Sequence, residues 1–176
     1  MSTEVEAELP VSGPLIRHAL VSDLDALNEL YNHWVATSHI TFDIEKITAA
    51  QRLEWYRDFA GHGRYQLLVA LRNEAFLGFV HSKQFRPKEA YLPAVETTVY
   101  VHPEALGAGV GSALYRALFE ALEGEDVHRA YAGIALPNPE SIRLHERLGF
   151  REIGTYEEVG RKFDRYWSVR WYEKAL

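Results

Sequence analysis

The sequence predicts an α/β fold of the mixed α+β kind, a central sheet with helices packed on its faces. Three observations carry this. Short runs rich in β-branched and aromatic residues alternate with stretches whose apolar residues recur every three or four positions, in the order β-α-α-β-β-β-α-β-α-β-β. One run, Val95 to Val101, is stopped by His102-Pro103 and leads through a loop with glycine at 107, 109 and 111 into a helical stripe of Leu114, Leu118 and Leu122. No internal repeat is visible, and 176 residues are enough for one domain with its own core. That domain is placed at residues 14–176, behind a loose, acidic and polar tail at residues 1–13.

Leu15 to Leu20 opens the domain as a short strand. Ser22 to Asp25 has the spacing of a capping box, and Leu24, Leu27, Leu30, Tyr31 and Trp34 follow with helical spacing. His39 to Asp43 breaks that pattern. Thr48 to Gln51 is a second capping box, ahead of a helix whose expected apolar face is Leu53, Tyr56 and Phe59 and whose end is expected near Gly61 or Gly63. Tyr65 to Leu71 and Ala75 to Phe85 form a hairpin turned at Asn73-Glu74, and a loop with two prolines carries the chain to the Val95 strand. A helix from Ser112 onward stops at Gly124 to Asp126, and Arg129 to Leu136 is the next strand. Pro139 suits a first helical turn and Gly149 a helix stop; Arg151 to Val159 and Phe163 to Tyr172 close the chain as two strands.

Composition removes several functions. An excess of 25 Asp plus Glu over 19 Lys plus Arg argues against nucleic acid as the main partner. With no cysteine, the chain has no disulfide framework, no thiolate nucleophile and no cysteine-type zinc site, and no other metal site is expected. The first residues lack the basic start and apolar core of a signal peptide, and no apolar run approaches the ~18 residues of a membrane span, so a cytoplasmic protein with no membrane partner is expected.

The glycine loop is the first chemical signal. Glycines at alternate positions allow a sharp turn that brings successive N–H groups to one ligand, and the following helix N-terminus adds partial positive charge. Such a loop suits a phosphate. A Walker loop is excluded because Ser112-Ala113 follows Gly111 with no lysine, and a dinucleotide fingerprint is excluded because its third glycine would fall on Ser112 or Leu114. The run Leu106 to Gly111 resembles the acetyl-CoA loop of the GNAT superfamily of N-acetyltransferases, whose pattern is Gln/Arg-x-x-Gly-x-Gly/Ala. Gly109 and Gly111 match it. Leu106 stands where the family has Gln or Arg, which removes one polar contact near the pyrophosphate.

A second resemblance lies in Asn138, Ser141, Leu144, His145, Glu146, Gly149 and Phe150, which match the family's Asn-x-x-Ser/Ala, Leu-Tyr-Glu-x-x-Gly-Phe pattern with histidine in place of tyrosine. That histidine, with Glu96 in its strand, the segments around Tyr31 and Phe42, and the loop Arg86 to Tyr91, makes the chain similar to the phosphinothricin acetyltransferase branch. The resemblance runs from Leu15 to Tyr172. It implies a mostly antiparallel GNAT sheet, acetyl-CoA as acyl donor and a homodimer. It also implies a cofactor site at Val99, Tyr100, Val101, Leu106, Gly107, Ala108, Gly109, Val110, Gly111, Ser112, Asn138 and Ser141. The acceptor is then a small amino-acid-like amine of the methionine sulfoximine, methionine sulfone or phosphinothricin type. Its anion would meet Arg86 and Lys88, and its body Phe42, Tyr91, Ala135 and Val169; Ala135 replaces a glycine of relatives and narrows the pocket.

Acetyl transfer from a thioester to an amine requires a base and an acid rather than a nucleophile. Glu96 is the candidate base, able to take the amine's proton directly or through water. His145, with an intrinsic pKa near neutrality, suits either taking that proton or returning one to the sulfur. Both also have ordinary readings, as a solvent-facing glutamate and as a helix histidine with a structural hydrogen bond. An acyl-CoA or amino-acid sensor without turnover, or an acetyltransferase for arylamines or peptide N-termini, is the alternative. The aromatic residues Tyr156, Phe163, Tyr166, Trp167, Trp171 and Tyr172 exceed what a small sheet needs and point to the same homodimer.

Overall fold

The computed structural model describes residues 13–176, so the expected tail lies outside the described residues except for Gly13. The elements are β1 (Leu15–His18), α1 (Leu24–Thr37), α2 (Ala49–Tyr56), β2 (Leu67–Arg72), β3 (Ala75–Gln84), β4 (Ala94–Val101), α3 (Val110–Leu122), β5 (Arg129–Ala135), α4 (Pro139–Arg147), β6 (Arg151–Lys162) and β7 (Arg165–Ala175). The strands form a seven-stranded sheet in the order β1-β2-β3-β4-β5-β7-β6, antiparallel at every pairing but β4 with β5. This is the fold class and element order that the sequence predicts.

Local chemistry explains the boundaries. Thr48 and Gln51 form the expected capping box, the threonine hydroxyl accepting from the Gln51 N–H at 3.2 Å and the glutamine side chain accepting from the Thr48 N–H at 2.9 Å. The Ser22–Asp25 box does not form. Asp23 instead accepts from the Leu20 N–H at 2.7 Å and pairs with both guanidinium nitrogens of Arg17 at 2.6 and 2.8 Å, so a stronger charge-assisted contact starts the turn. The face expected for α2 is also corrected: Leu53 is exposed, Arg52 is the buried residue, and the helix ends at Tyr56. Two hairpins turn on residue pairs with positive φ, Asn73-Glu74 as expected and Phe163-Asp164, which moves Phe163 from the start of β7 into the turn.

Successive strand residues face opposite sides, so the sheet has two distinct surfaces. Val95 on β4, Ala130, Ala132 and Ile134 on β5, and Tyr172 on β7 pack under Leu114, Tyr115 and Leu118 of α3 and against Ile142 and Leu144 of α4. On the other side, Leu67, Val69 and Phe79 pack under Leu27 and Leu30 of α1, with Tyr100 and Trp55 at the margin.

The pairing of β4 with β5 is short. β4 follows β3 from Val95 to Val101 but follows β5 only from Ala94 to Glu96, so the two central strands diverge beyond Glu96. That divergence opens the middle of the sheet.

Candidate active site

The opening is a cleft of about 490 Å3 between β4, the glycine loop and α4. The His102 N–H bonds Leu77 on β3 at 2.8 Å, and the Val101 carbonyl accepts from the Trp34 indole at 3.2 Å on the other side. By strand alternation the backbone groups of Val99 and Val101 therefore face the cleft, where no strand pairs with them.

Gly109 is the N-cap of α3 at φ 79°, a conformation natural to glycine, and it offers no side chain to the first-turn N–H groups. A Cβ at Gly107 or Gly109 would meet nothing, whereas one at Gly111 would lie 3.1 Å from Leu144, so Gly111 lets α3 and α4 close together. Uncapped N–H groups at the end of a thirteen-residue helix are an anion site. Arg143 and Arg147, one turn apart on α4, line the same cleft and bring two cations to it. Diphosphate at the loop and an amide-rich arm along Val99 and Val101 match this donor set, and it is the set CoA requires.

Asn138, as N-cap of α4, accepts from the Ser141 N–H at 3.1 Å through its side-chain oxygen, which leaves its amide donors toward the cleft. The expected cofactor residues line the cleft with one exception, Ala108. Tyr100 contributes from β4 while its ring packs on Tyr31 and Phe79. Leu106 is 46% exposed at the rim and supplies no polar group.

Glu96 sits on the last rung before the strands part, between Lys83 of β3 and Tyr131 of β5. Burial lifts its carboxyl above the ordinary range, and nearby Arg86 pulls it partly back. On the same face the ring of Phe85 stacks on Tyr131 at 4.2 Å, and the Arg86 guanidinium lies 4.5 Å from Phe85 and 5.9 Å from Trp171. Ala135 and Val169 are direct partners further along β5 and β7. Phe42 packs against Gly160 of β6 so closely that a Cβ there would lie 2.2 Å from its ring. Tyr91, 44% exposed, approaches Phe85 at 6.2 Å, while Lys88 is a surface residue at the start of the turn before β4.

His145 belongs to the other face. It is 3% exposed and does not line the cleft. Its Nδ1 lies 2.7 Å from the Ser141 carbonyl, which can only accept, so Nδ1 carries the proton and Nε2 accepts from the Tyr115 hydroxyl at 2.8 Å. Tyr115 lies 3.3 Å from the Thr97 hydroxyl, which completes a chain of polar groups from α4 to β4. Burial lowers the histidine's proton affinity and raises the phenol's, which keeps both neutral. The structure thus places Glu96 and His145 on opposite faces of the divergence, joined through neighbouring residues 96 and 97. Sequence reasoning missed Phe85, Tyr131 and Trp171, which complete the aromatic wall, and Trp34, Arg143 and Arg147, which complete the cleft. The signal for the arginines was their i, i+4 spacing beside Asn138. Among the described residues, no group of three His, Asp or Glu side chains is placed to hold a metal, and no helix is long and apolar enough to cross a membrane.

Comparison with known proteins bears on this arrangement. The chain is 53% identical over 163 residues to a phosphinothricin N-acetyltransferase of Streptomyces coelicolor, covering 92% of this chain and 95% of that protein. It is 35% identical over 162 residues to an L-methionine sulfoximine/L-methionine sulfone acetyltransferase of Pseudomonas aeruginosa, covering 92% and 94%. A crystal structure of a GNAT superfamily phosphinothricin acetyltransferase from Sinorhizobium meliloti, in complex with AcCoA, superposes with a TM-score of 0.89 at 29% identity, over 94% of this chain and 89% of that one. With the sequence profile of the acetyltransferase (GNAT) family matching residues 27–150 as well, the chain belongs to that family and is an N-acetyltransferase.

Proposed function

We propose that the chain acetylates the α-amine of a small amino-acid-like acceptor that also bears an acid group, with acetyl-CoA as donor. The observation that carries this reading is Glu96. It is a half-buried carboxylate with raised proton affinity at the point where the sheet opens, on the face that also presents Arg86 and the Phe85–Tyr131–Trp171 wall. Acetyl-CoA supplies an activated acetyl thioester. Glu96 takes a proton from the acceptor's ammonium, and the raised proton affinity brings its pKa toward that of its task. Arg86 holds the acceptor's anion, and Phe42 with Val169 limits the size of its body. His145 acts through Tyr115, since that hydroxyl stands between it and β4. The named activities of the relatives support an acceptor of the methionine sulfoximine, methionine sulfone or phosphinothricin type.

A matched pair of amines tests this, one with the α-carboxylate free and one with it amidated. The free acid is expected to exceed the amide by at least about tenfold in kcat/KM, ~1.5 kcal/mol, if a charge-assisted bond to Arg86 forms. Arylamines or peptide N-termini outperforming every amino acid would overturn it. The exposed Leu106 favours a second reading, an acyl-CoA binder without turnover. Release of free CoA in the presence of any amine of the panel excludes that reading.

A further inference from the structure

A second cavity, of about 280 Å3, lies between α1, α2 and the face of β3 and β4 that those helices cover. Exposed Asp43 and Gln51 mark its mouth, and Phe79 and His81 its floor. Here α2 buries a guanidinium where an amphipathic helix ordinarily buries an apolar side chain: Arg52 is 4% exposed. Its plane is fixed between the rings of Tyr31 at 4.7 Å and Trp55 at 4.5 Å, and its Nε donates to Asn28 Oδ1 at 3.0 Å. The outer nitrogen Nη2 has no hydrogen-bond partner, and among the described residues no carboxylate forms an ion pair with Arg52. The floor repeats this, because His81 Nδ1 is buried without a partner and burial holds the ring neutral, its pKa pushed down to about 3.

A buried cation with no carboxylate bonded to it is costly, and stacking on two rings with the more distant charge of Asp43 offsets only part of that cost. The arrangement is explained if a ligand supplies the missing acceptors. Asp43 narrows the choice: one of its oxygens accepts from the Tyr31 hydroxyl at 2.6 Å, and its negative charge stays at the mouth. Lys83 adds no free charge, being paired with Asp58 at 2.8 Å. The cavity therefore offers one cation and one anion. A simple anion would meet Asp43, and a simple cation would meet Arg52; a molecule with both charges satisfies both.

We propose that this cavity binds a small free α-amino acid as its zwitterion, with the carboxylate on Arg52 and the ammonium at Asp43. Its volume, near the lower limit of ligand pockets, restricts the side chain to a short one. An N-acetylated amino acid has no ammonium and loses the Asp43 contact, so the site separates free amino acids from acetylated ones. Neither Glu96 nor Arg86 lines this cavity, so the site is independent of the acceptor assigned to them.

The test follows the indole N–H resonance of Trp55, identified by Trp55→Phe, in the full chain without acetyl-CoA. Glycine, acetate and methylammonium are titrated in turn. Glycine is expected to give a saturable shift, with acetate and methylammonium each at least about tenfold weaker. Asp43→Asn, at an exposed position that leaves the fold intact, is expected to weaken glycine by about tenfold, and Arg52→Gln to abolish the shift. Arg86→Ala is expected to leave it unchanged. Absence of a saturable glycine shift would mean that the cavity holds water only and would overturn the proposal. So would unchanged glycine affinity in Asp43→Asn, or loss of the shift in Arg86→Ala, which would assign the signal to the acceptor pocket.

Discussion

Glu96 is harder to ionise in the folded chain than in the unfolded one, and two measurable consequences follow from that difference. Above the ordinary glutamate pKa of about 4.3, ionisation works against folding, whereas well below it both states are protonated and the penalty vanishes. Glu96→Gln is therefore expected to raise Tm at pH 7, with the gain closing as pH falls below about 4, while turnover drops by about 10² or more. In the native enzyme kcat/KM is expected to rise with pH through a value above the usual carboxylate range. A flat profile, or full activity in the glutamine variant, would remove Glu96 as base. His145 and Tyr115 form a separate test. If the histidine acts through the phenol, Tyr115→Phe and His145→Ala lower kcat by similar factors of about 10² or more and leave the affinity for CoA unchanged. A normal kcat in Tyr115→Phe would leave His145 with a structural role alone.

Among the elements, the glycine loop makes the sharpest distinction between a backbone and a side-chain requirement. Gly109 lies at φ 79°, where a side chain costs about 1–2 kcal/mol, and Gly111 stands 3.1 Å from Leu144. Gly109→Val and Gly111→Val are expected to weaken acetyl-CoA binding by calorimetry far more than Leu106→Ala. Leu106→Arg is expected to strengthen it by about tenfold, because an exposed rim position gains a charge-assisted contact. Equal affinity in all four variants would show that the loop is not the phosphate site. Much of this was legible in the sequence, since the alternate glycines, the proline that ends β4 and the box at Thr48 each act within a few residues. The failures came from contacts distant in sequence. The cap at Ser22 lost to an ion pair reaching from Arg17, and Leu53 yielded the inner face of α2 to Arg52, whose cost of burial Tyr31, Trp55 and Asn28 offset only in part. No local pattern announces a partner twenty-four residues away.

At the scale of the molecule, the β6–β7 hairpin carries a cluster of exposed apolar side chains. Of the six aromatic residues that suggested assembly, Tyr172 belongs to the protomer's own core, Trp167 and Trp171 are half-buried, and Tyr156, Phe163 and Tyr166 are more than half exposed, with Val159 beside them. Light scattering at micromolar concentration is expected to report a homodimer, and Tyr156→Ser with Tyr166→Ser to shift it toward monomer. A monomer in the native chain would assign this hairpin to solvent. The short β4–β5 pairing has another consequence, which concerns survival rather than chemistry. A sheet that parts at its centre leaves main-chain amides at Val99 and Val101 without a strand partner, and a ligand bound along them would protect them from exchange with deuterium. Any ligand that closes them adds stability by mass action, about 2.7 kcal/mol at one hundred times its dissociation constant. The resistance of the chain to proteolysis should then follow the acyl-CoA supply of its surroundings, so that the enzyme persists when its donor is abundant and is cleared when it is scarce.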